Sequence, residues 1–349
     1  MTQGAARAAQ GFACIAALAL AVGGCRGRRS EGASGSASSA AAFDSASWRT
    51  LLPPSLRFDD DVSALPAAPT SAATIAAVAA AGGWGHWGSF QIDTTIEVLF
   101  AAPSTPRVSW SPTKDWFEPD CDRDDVPLPA GGALEGEKGY ACTGDGDCHL
   151  LVVDPAARRL YEQWRADLKA PPRRGGCLAV WDLARDYGPS GRGEGCTSAD
   201  AAGLPIAPLL AEADEVAAGH IDHALRFVLP NDRIRRRAYV HPATHSTDAT
   251  QGGPDTPPLG ARLRLRADYP LAKLPSDGGR VLARALQRYG MFLADGGQST
   301  LTVRSDSTSH TTWEGRVRPI DLEPLRVEDF EVLPSEPPRT FTGACTRTR

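Results

Sequence analysis

The chain has 349 residues, 42% hydrophobic and 23% charged, with 37 Lys+Arg against 42 Asp+Glu and a formal net charge of −5. The hydrophobic fraction excludes a wholly disordered chain, and a single long apolar run, at the N-terminus, excludes several membrane spans. The mildly acidic total argues against a nucleic-acid partner, and 35 Gly with 28 Pro predict many turns between short strands.

Residues 1–24 read as a signal peptide. Arg7 is their only charge, and the apolar run from Gly11 to Val22 suits a signal core but is too short to span a bilayer. The run ends in Val22-Gly23-Gly24-Cys25, which resembles the lipobox of bacterial lipoproteins. That resemblance implies that Cys25 carries the lipid and becomes the mature N-terminus. Arg26 follows where an inner-membrane retention signal has Asp, so the expected location is the outer membrane, with the membrane itself as a partner through the anchor. A plain secretory signal cut nearby is the other reading. Residues 25–47 form the lipidated Cys and a Ser/Ala/Gly tether, which cannot bury enough apolar area to offset its ordering entropy. A β-rich globular domain is expected over 48–335, with a C-terminal tail over 336–349.

Within that domain, helix signals are few. Ser71 to Ala81 is Ala-rich and closed by Gly82-Gly83, and Asp214 to Ala218 is closed by Gly219. Gly279 to Tyr289 has Val281, Leu282, Ala285, Leu286 and Tyr289 on one stripe, with Gly290 as the stop. Strand signals are frequent. Phe90 to Phe100 begins as an alternating run, and Leu150 to Asp154 with Leu160 to Trp164 predicts a hairpin around Pro155. Ala224 to Leu229, Ala238 to His241 and Gly260 to Ala267 alternate, and Met291 to Ala294 and Leu301 to Val303 are shorter candidates. No internal repeat is visible. The expected class is mainly β, a β-sandwich or jelly-roll-like single domain with a few peripheral helices; an α+β fold is the alternative.

Of eight cysteines, Cys14 leaves with the signal and Cys25 is the lipid site. Cys121, Cys142, Cys148, Cys177, Cys196 and Cys345 remain, an even number that predicts three disulfides in an exported chain. Fifteen connectivities exist for six cysteines. Cys142/Cys148 and Cys177/Cys196 are the local choices, which would leave Cys345 for Cys121. Without a C-x-x-C pair, zinc is disfavoured.

Several blocks stand out together. They are Thr197 to Ile206 (TSADAAGLPI), Ile221 to Phe227 (IDHALRF), Tyr239 to His245 (YVHPATH), Gly260 to Leu265 (GARLRL) and Arg288 to Met291 (RYGM). With Gly146-Asp147-Cys148-His149, they resemble a group of secreted proteins of soil bacteria. The resemblance covers most of residues 48–333. It implies one exported domain and assigns no catalytic residue.

The candidate chemistry rests on His and Arg. His149, His223 and His245, with Asp200 and the phenol of Tyr289, are residue types that serve acid/base work in a polysaccharide lyase or glycoside hydrolase. The competing reading is that His149 and His223 are buried and satisfy backbone groups. His241 and His245 are four apart, but Pro242 precludes the helix that would make them a metal pair. Arg262, Arg264 and Arg266 share one face of a period-2 strand, and Arg226 lies opposite Leu225 and Phe227. If the two strands are neighbours, these four arginines form one cationic, ligand-binding patch suited to uronates, sulfates or peptidoglycan carboxylates. Ion pairs on a solvated face are the alternative.

Asp120-Cys121-Asp122-Arg123-Asp124 opens like a calcium loop, but Asp125 and Gly131 stand where the loop needs Gly and Glu. No cofactor and no metal is therefore expected, with calcium the nearest candidate. No G-x-S-x-G elbow, Walker loop or dinucleotide fingerprint occurs. The strand at Val152-Val153-Asp154 resembles the start of an L,D-transpeptidase domain, but that family's Ser-His-Gly-Cys motif is missing. The sequence thus predicts an envelope lipoprotein that engages a polysaccharide, anionic by the arginines, with lyase or hydrolase activity undecided. The alternative is a non-catalytic structural or interaction lipoprotein.

Overall fold

The computed structural model describes residues 43–144 and 146–348. The segments expected to be the signal peptide and the tether, as far as residue 42 and including Cys25, lie outside the described residues. Asp44 caps a 3-10 turn over Ser45–Leu51, which buries Trp48 completely.

Ten strands make the two main sheets. They are β1 (Ile92–Ile96), β2 (Val98–Phe100), β3 (Leu150–Asp154), β4 (Arg159–Gln163), β5 (Leu178–Asp182), β6 (Leu225–Leu229), β7 (Arg262–Leu265), β8 (Met291–Gly296), β9 (Leu301–Arg304) and β10 (Phe330–Val332). Among the described residues, the α-helices of six residues or more are α1 (Ser71–Ala80), α2 (Ala213–Ala218) and α3 (Asp277–Arg288). The large sheet runs β1-β9-β6-β8-β7-β10, and the small sheet runs β2-β3-β4-β5. Neither closes. β1/β9, β6/β8 and β2/β3 pair parallel. An all-antiparallel jelly roll has no such pairs; the molecule is strand-rich with a few helices and open mixed sheets, consistent with an α+β or β-rich single domain.

The continuous run from Phe90 to Phe100 divides between the sheets. Its first half pairs with β9 and its second half with β3. The hairpin β3/β4 is as expected, with Leu150 opposite Gln163 and Asp154 opposite Arg159. β5 and β10 carry no sequence signal of their own. β5 (LAVWD) lies in a sheet buried on both faces, so its apolar residues need not alternate, and β10 has only three residues. Leu151, Val153, Leu160 and Trp181 pack on Trp48 and Leu52, while Leu150, Val152 and Leu178 pack on Val126 and Leu134. The largest core joins Leu225, Phe227, Leu263, Met291 and Leu293 to α1 residues Ile75 and Val78 and to α3 residues Val281, Leu282 and Leu286. Among the described residues, no helix is long and apolar enough to cross a membrane.

Three disulfides form, Cys121–Cys177, Cys142–Cys148 and Cys196–Cys345. The six-residue Cys142/Cys148 loop is as expected, but the other two pairs exchange partners. Cys177 leads into β5, whose Leu178 carbonyl accepts the Asp122 amide at 2.8 Å, and this brings Cys121 alongside. Cys196 follows the strand Gly193–Glu194, which pairs with Thr346–Arg347 in the tail. Sheet pairing rather than proximity in sequence selects the partners. Loss of the Cys196–Cys345 link should cost about 5 kcal/mol, against about 2 kcal/mol for Cys142–Cys148, because loop-closure entropy rises with loop length. Urea unfolding of the two Cys-to-Ser variants checks the order, and non-reducing peptide mapping checks the pairs.

Candidate functional site

The loop from Ser198 to Gly203 lies against both sheets, and charged side chains converge on it. Arg226 is the second residue of β6. Its Nε and Nη2 donate to the two carboxylate oxygens of Asp200, each at 3.1 Å, and its Nη1 donates to Thr302 Oγ1 at 2.8 Å. Asp200 is 1% exposed and Arg226 4%. Asp295, at the end of β8, is a second carboxylate 3.6 Å from Arg226 and shares a hydrogen bond with Asp200. Burial, then the charge of Asp200, push Asp295 up to about 7 against the pull of Arg226. The Arg226 pKa is raised too, which for a guanidinium favours the charged form. Burial opposes its charge, but Asp200 and Asp295 hold it above the ordinary arginine value.

His149 approaches the same loop from β3. Its Nε2 donates to the Ala199 carbonyl at 3.0 Å and its Nδ1 faces Glu135 Oε2 at 2.6 Å. Burial alone would lower its pKa, but the Glu135 carboxylate overrides burial and holds it at about 9. Glu135 is held down at about 2, against burial, by His149 and Arg226. His149 is therefore an imidazolium at neutral pH, with both N–H groups committed and no lone pair to act as a base. His245 donates from Nδ1 to the Ala201 carbonyl at 2.7 Å, packs edge-on against Phe341, and is lowered by burial.

The structure thus gathers Asp200, His149, His245 and Arg226 around residues 199–202. It does not bring His223 and Tyr289 there. His223 lies opposite Arg226 in the side-chain alternation of its strand, with Nδ1 2.8 Å from the Ala224 carbonyl and Nε2 3.2 Å from Glu215 on α2. The Tyr289 hydroxyl donates to Asp222 at 3.3 Å. Asp295 and Glu135 were not legible from sequence, because the strand pattern ends at Ala294 and Glu135 sits in a turn.

The arginine ladder is real as a face but not as a patch. β8 separates β6 from β7, and the register places Phe292 between Arg226 and Arg262. Chain residues cover the face. Arg264 is 6% exposed, paired with Glu331 at 2.5 Å and donating to the carbonyls of Val62 and Leu65. Arg266 lies exposed beyond the strand end and pairs with Asp268 at 2.9 Å.

Arg262 differs from the rest. Its Nε donates to the Tyr289 carbonyl at 2.7 Å and its Nη2 to the Asp60 carbonyl at 2.9 Å, and the guanidinium stacks 4.9 Å above Phe292. Among the described residues, no carboxylate lies within ion-pair distance of it, and burial pulls it down to about 10 with only Asp60 opposing. It lines a cavity of about 330 Å³ with Phe58, Phe292, Asp59, Asp60 and His241. Both ring nitrogens of His241 face carboxylates, Glu194 at 3.0 Å and Glu336 at 2.7 Å.

Among the described residues, two groupings bring metal-ligand atoms together, Asp120 with Cys196 and Cys345, and Glu137 with Cys142 and Cys148. All four sulfurs are in disulfides, so none is the thiolate that a metal requires. In the calcium-like run, Asp122 is bonded to Arg192 and Arg347, and Asp120 accepts the Thr197 amide. No protein-family model, curated protein or solved structure matches the chain.

Two outcomes follow from the cluster. Arg226→Ala leaves Asp200 buried and unpaired, which should cost about 3–5 kcal/mol, whereas replacing both residues with apolar side chains should recover most of it. Chemical denaturation of the single and double variants measures the difference. The pH response also has a definite sign. Asp295 binds its proton more tightly folded than unfolded, so its contribution falls as pH rises from 3.8 through about 7. The His149 contribution is complete below 6.5 and is lost as pH rises through about 9. The thermal midpoint should therefore fall by on the order of 5 °C between pH 5 and pH 9. Asp295→Asn should remove the part of that fall below pH 7, and thermal scans at pH 5, 7 and 9 test it.

Proposed function

We propose that this protein is an exported, lipid-anchored envelope protein, akin to the secreted soil-bacterial group, whose domain binds an acidic saccharide in the Arg262 cavity. The observation that carries this reading is a half-buried guanidinium that lines a cavity without a carboxylate partner of its own. A sugar ring meets Phe58 and Phe292, and its carboxylate meets the remaining N–H donors of Arg262. The cavity lies at the small end of the ligand-pocket range of about 300–1,000 Å³, so it takes the end or a single residue of a glycan. The lipobox at Val22 to Cys25 and three disulfides support export to an oxidising compartment.

A second reading, a non-catalytic structural lipoprotein, is favoured by one observation. Arg226, Arg264, His149 and His223 all spend their donors on the protein itself. For the same reason the proposal assigns binding and no bond cleavage.

Titration of the full chain with oligouronates and with neutral glucose oligomers separates the two readings. Uronates should bind more tightly, with affinity falling as salt rises. Arg262→Ala should weaken binding by about 1.5–3 kcal/mol, and Arg262→Lys should recover part of it. Arg264→Ala should reduce stability and leave the sugar preference in place. Equal affinity for charged and neutral sugars, or an unaffected Arg262→Ala variant, selects the structural reading. Mass spectrometry of the mature N-terminal peptide tests the anchor, and an unacylated Cys25 removes it from the proposal.

A further inference from the structure

A second cavity, of about 280 Å³, lies between the edge strand of the small sheet and the C-terminal tail. Four guanidinium groups line it, from Arg159, Arg185, Arg192 and Arg347, against three carboxylates, from Asp122, Asp124 and Asp182. The lining thus carries one cation in excess within a chain of net charge −5.

The pairing within it is incomplete. Arg159 takes Asp182 at 3.1 Å. Arg192 and Arg347 share Asp122, at 2.6 Å and 2.7 Å, and both also donate to the Asp120 carbonyl. Arg192 is 3% exposed, and its Nε has no hydrogen-bond partner among the described residues. Burial, and the charge of Arg347 alongside it, pull Arg192 below the ordinary arginine value despite Asp122. Arg185 lies over the Tyr187 ring at 4.9 Å, and among the described residues no carboxylate lies within ion-pair distance of it.

The tail is held there by construction. The strand Thr346–Arg347 pairs with Gly193–Glu194, and Cys196–Cys345 locks the pair. A Cβ at Gly193 would lie 2.3 Å from the Thr346 carbonyl oxygen, and one at Gly195 would lie 2.0 Å from that of Ala344. Both glycines have positive φ as well, so only glycine admits the tail at this distance.

We propose that this cavity is a phosphate site, completed by the disulfide-locked C-terminal strand and distinct from the Arg262 cavity. A carboxylate presents two oxygens, whereas a phosphate presents three or four acceptors to several guanidinium groups at once. The bound anion supplies the charge that Arg192, Arg347 and Arg185 lack. Inorganic phosphate and the phosphate of a monoester share this chemistry.

Calorimetric titration of the full chain with inorganic phosphate and with glucose 6-phosphate tests the site. At least one should bind saturably at one per chain; tighter binding of either identifies the source as the free ion or the ester. Arg185→Ala should weaken binding roughly tenfold with little change in the unfolding midpoint, since Arg185 holds no buried carboxylate. Cys345→Ser, which frees the tail and Arg347, should weaken it as well, while Arg262→Ala should leave it unchanged. No saturable binding of either ligand, unaltered affinity in Arg185→Ala, or loss in Arg262→Ala would overturn the proposal without touching the acidic-saccharide reading.

Discussion

The bidentate Arg226–Asp200 pair is the contact around which the two sheets are organised. Arg226 comes from the interior of the large sheet and Asp200 from the loop that also caps the small one. Through that loop, His149 of the small sheet reaches the Ala199 carbonyl, while the Ala202 amide donates to Ala294 at the end of β8. The Ala202 carbonyl then accepts the amides of Thr244 and His245. Burying two charges is costly, so the pair is weak evidence of net stability. Its consequence is specificity, because any other placement of the loop strands a charge without a partner.

That constraint separates the charged residues into two populations. Arg226, Arg264, His149 and His223 have their donors satisfied within the fold, which makes them part of the frame. Arg262 and Arg185 are polar groups in cavity walls with no carboxylate of their own. Electrostatic free energy is left unrealised at these two places, and an anionic ligand would supply it. The cavities differ in chemistry. Phe58 and Phe292 give the first an aromatic wall beside a single guanidinium, whereas the second is lined mainly by charged groups.

The Asp200–Asp295 pair adds a dependence on pH. Burial first, and then the charge of Asp200, oppose ionisation of Asp295, so it retains its proton to about pH 7. Its side chain is 27% exposed, which leaves the outer carboxyl of the pair in contact with solvent, while Asp200 is sealed beneath it. As a geometry, Asp200, Arg226, His149 and Asp295 form an internal ion network with one titrating edge.

Local physics was legible in the chain. The 3.6-residue stripe of α3, the β3/β4 hairpin and the alternation placing Arg226, Arg262 and Arg264 opposite leucines follow from side-chain periodicity, which acts over a few residues. The even number of cysteines predicted three disulfides, and the six-residue Cys142–Cys148 loop was the nearest pair to close. Strand order was not legible, because which strand lies beside which depends on contacts far apart in sequence. The tertiary structure alone put Phe292 between the two arginine strands, divided Phe90 to Phe100 between two sheets, and drew Cys345 to Cys196 across 149 residues. It also decided which arginines keep a free donor, since that depends on where Asp200, Glu331 and the tail come to rest.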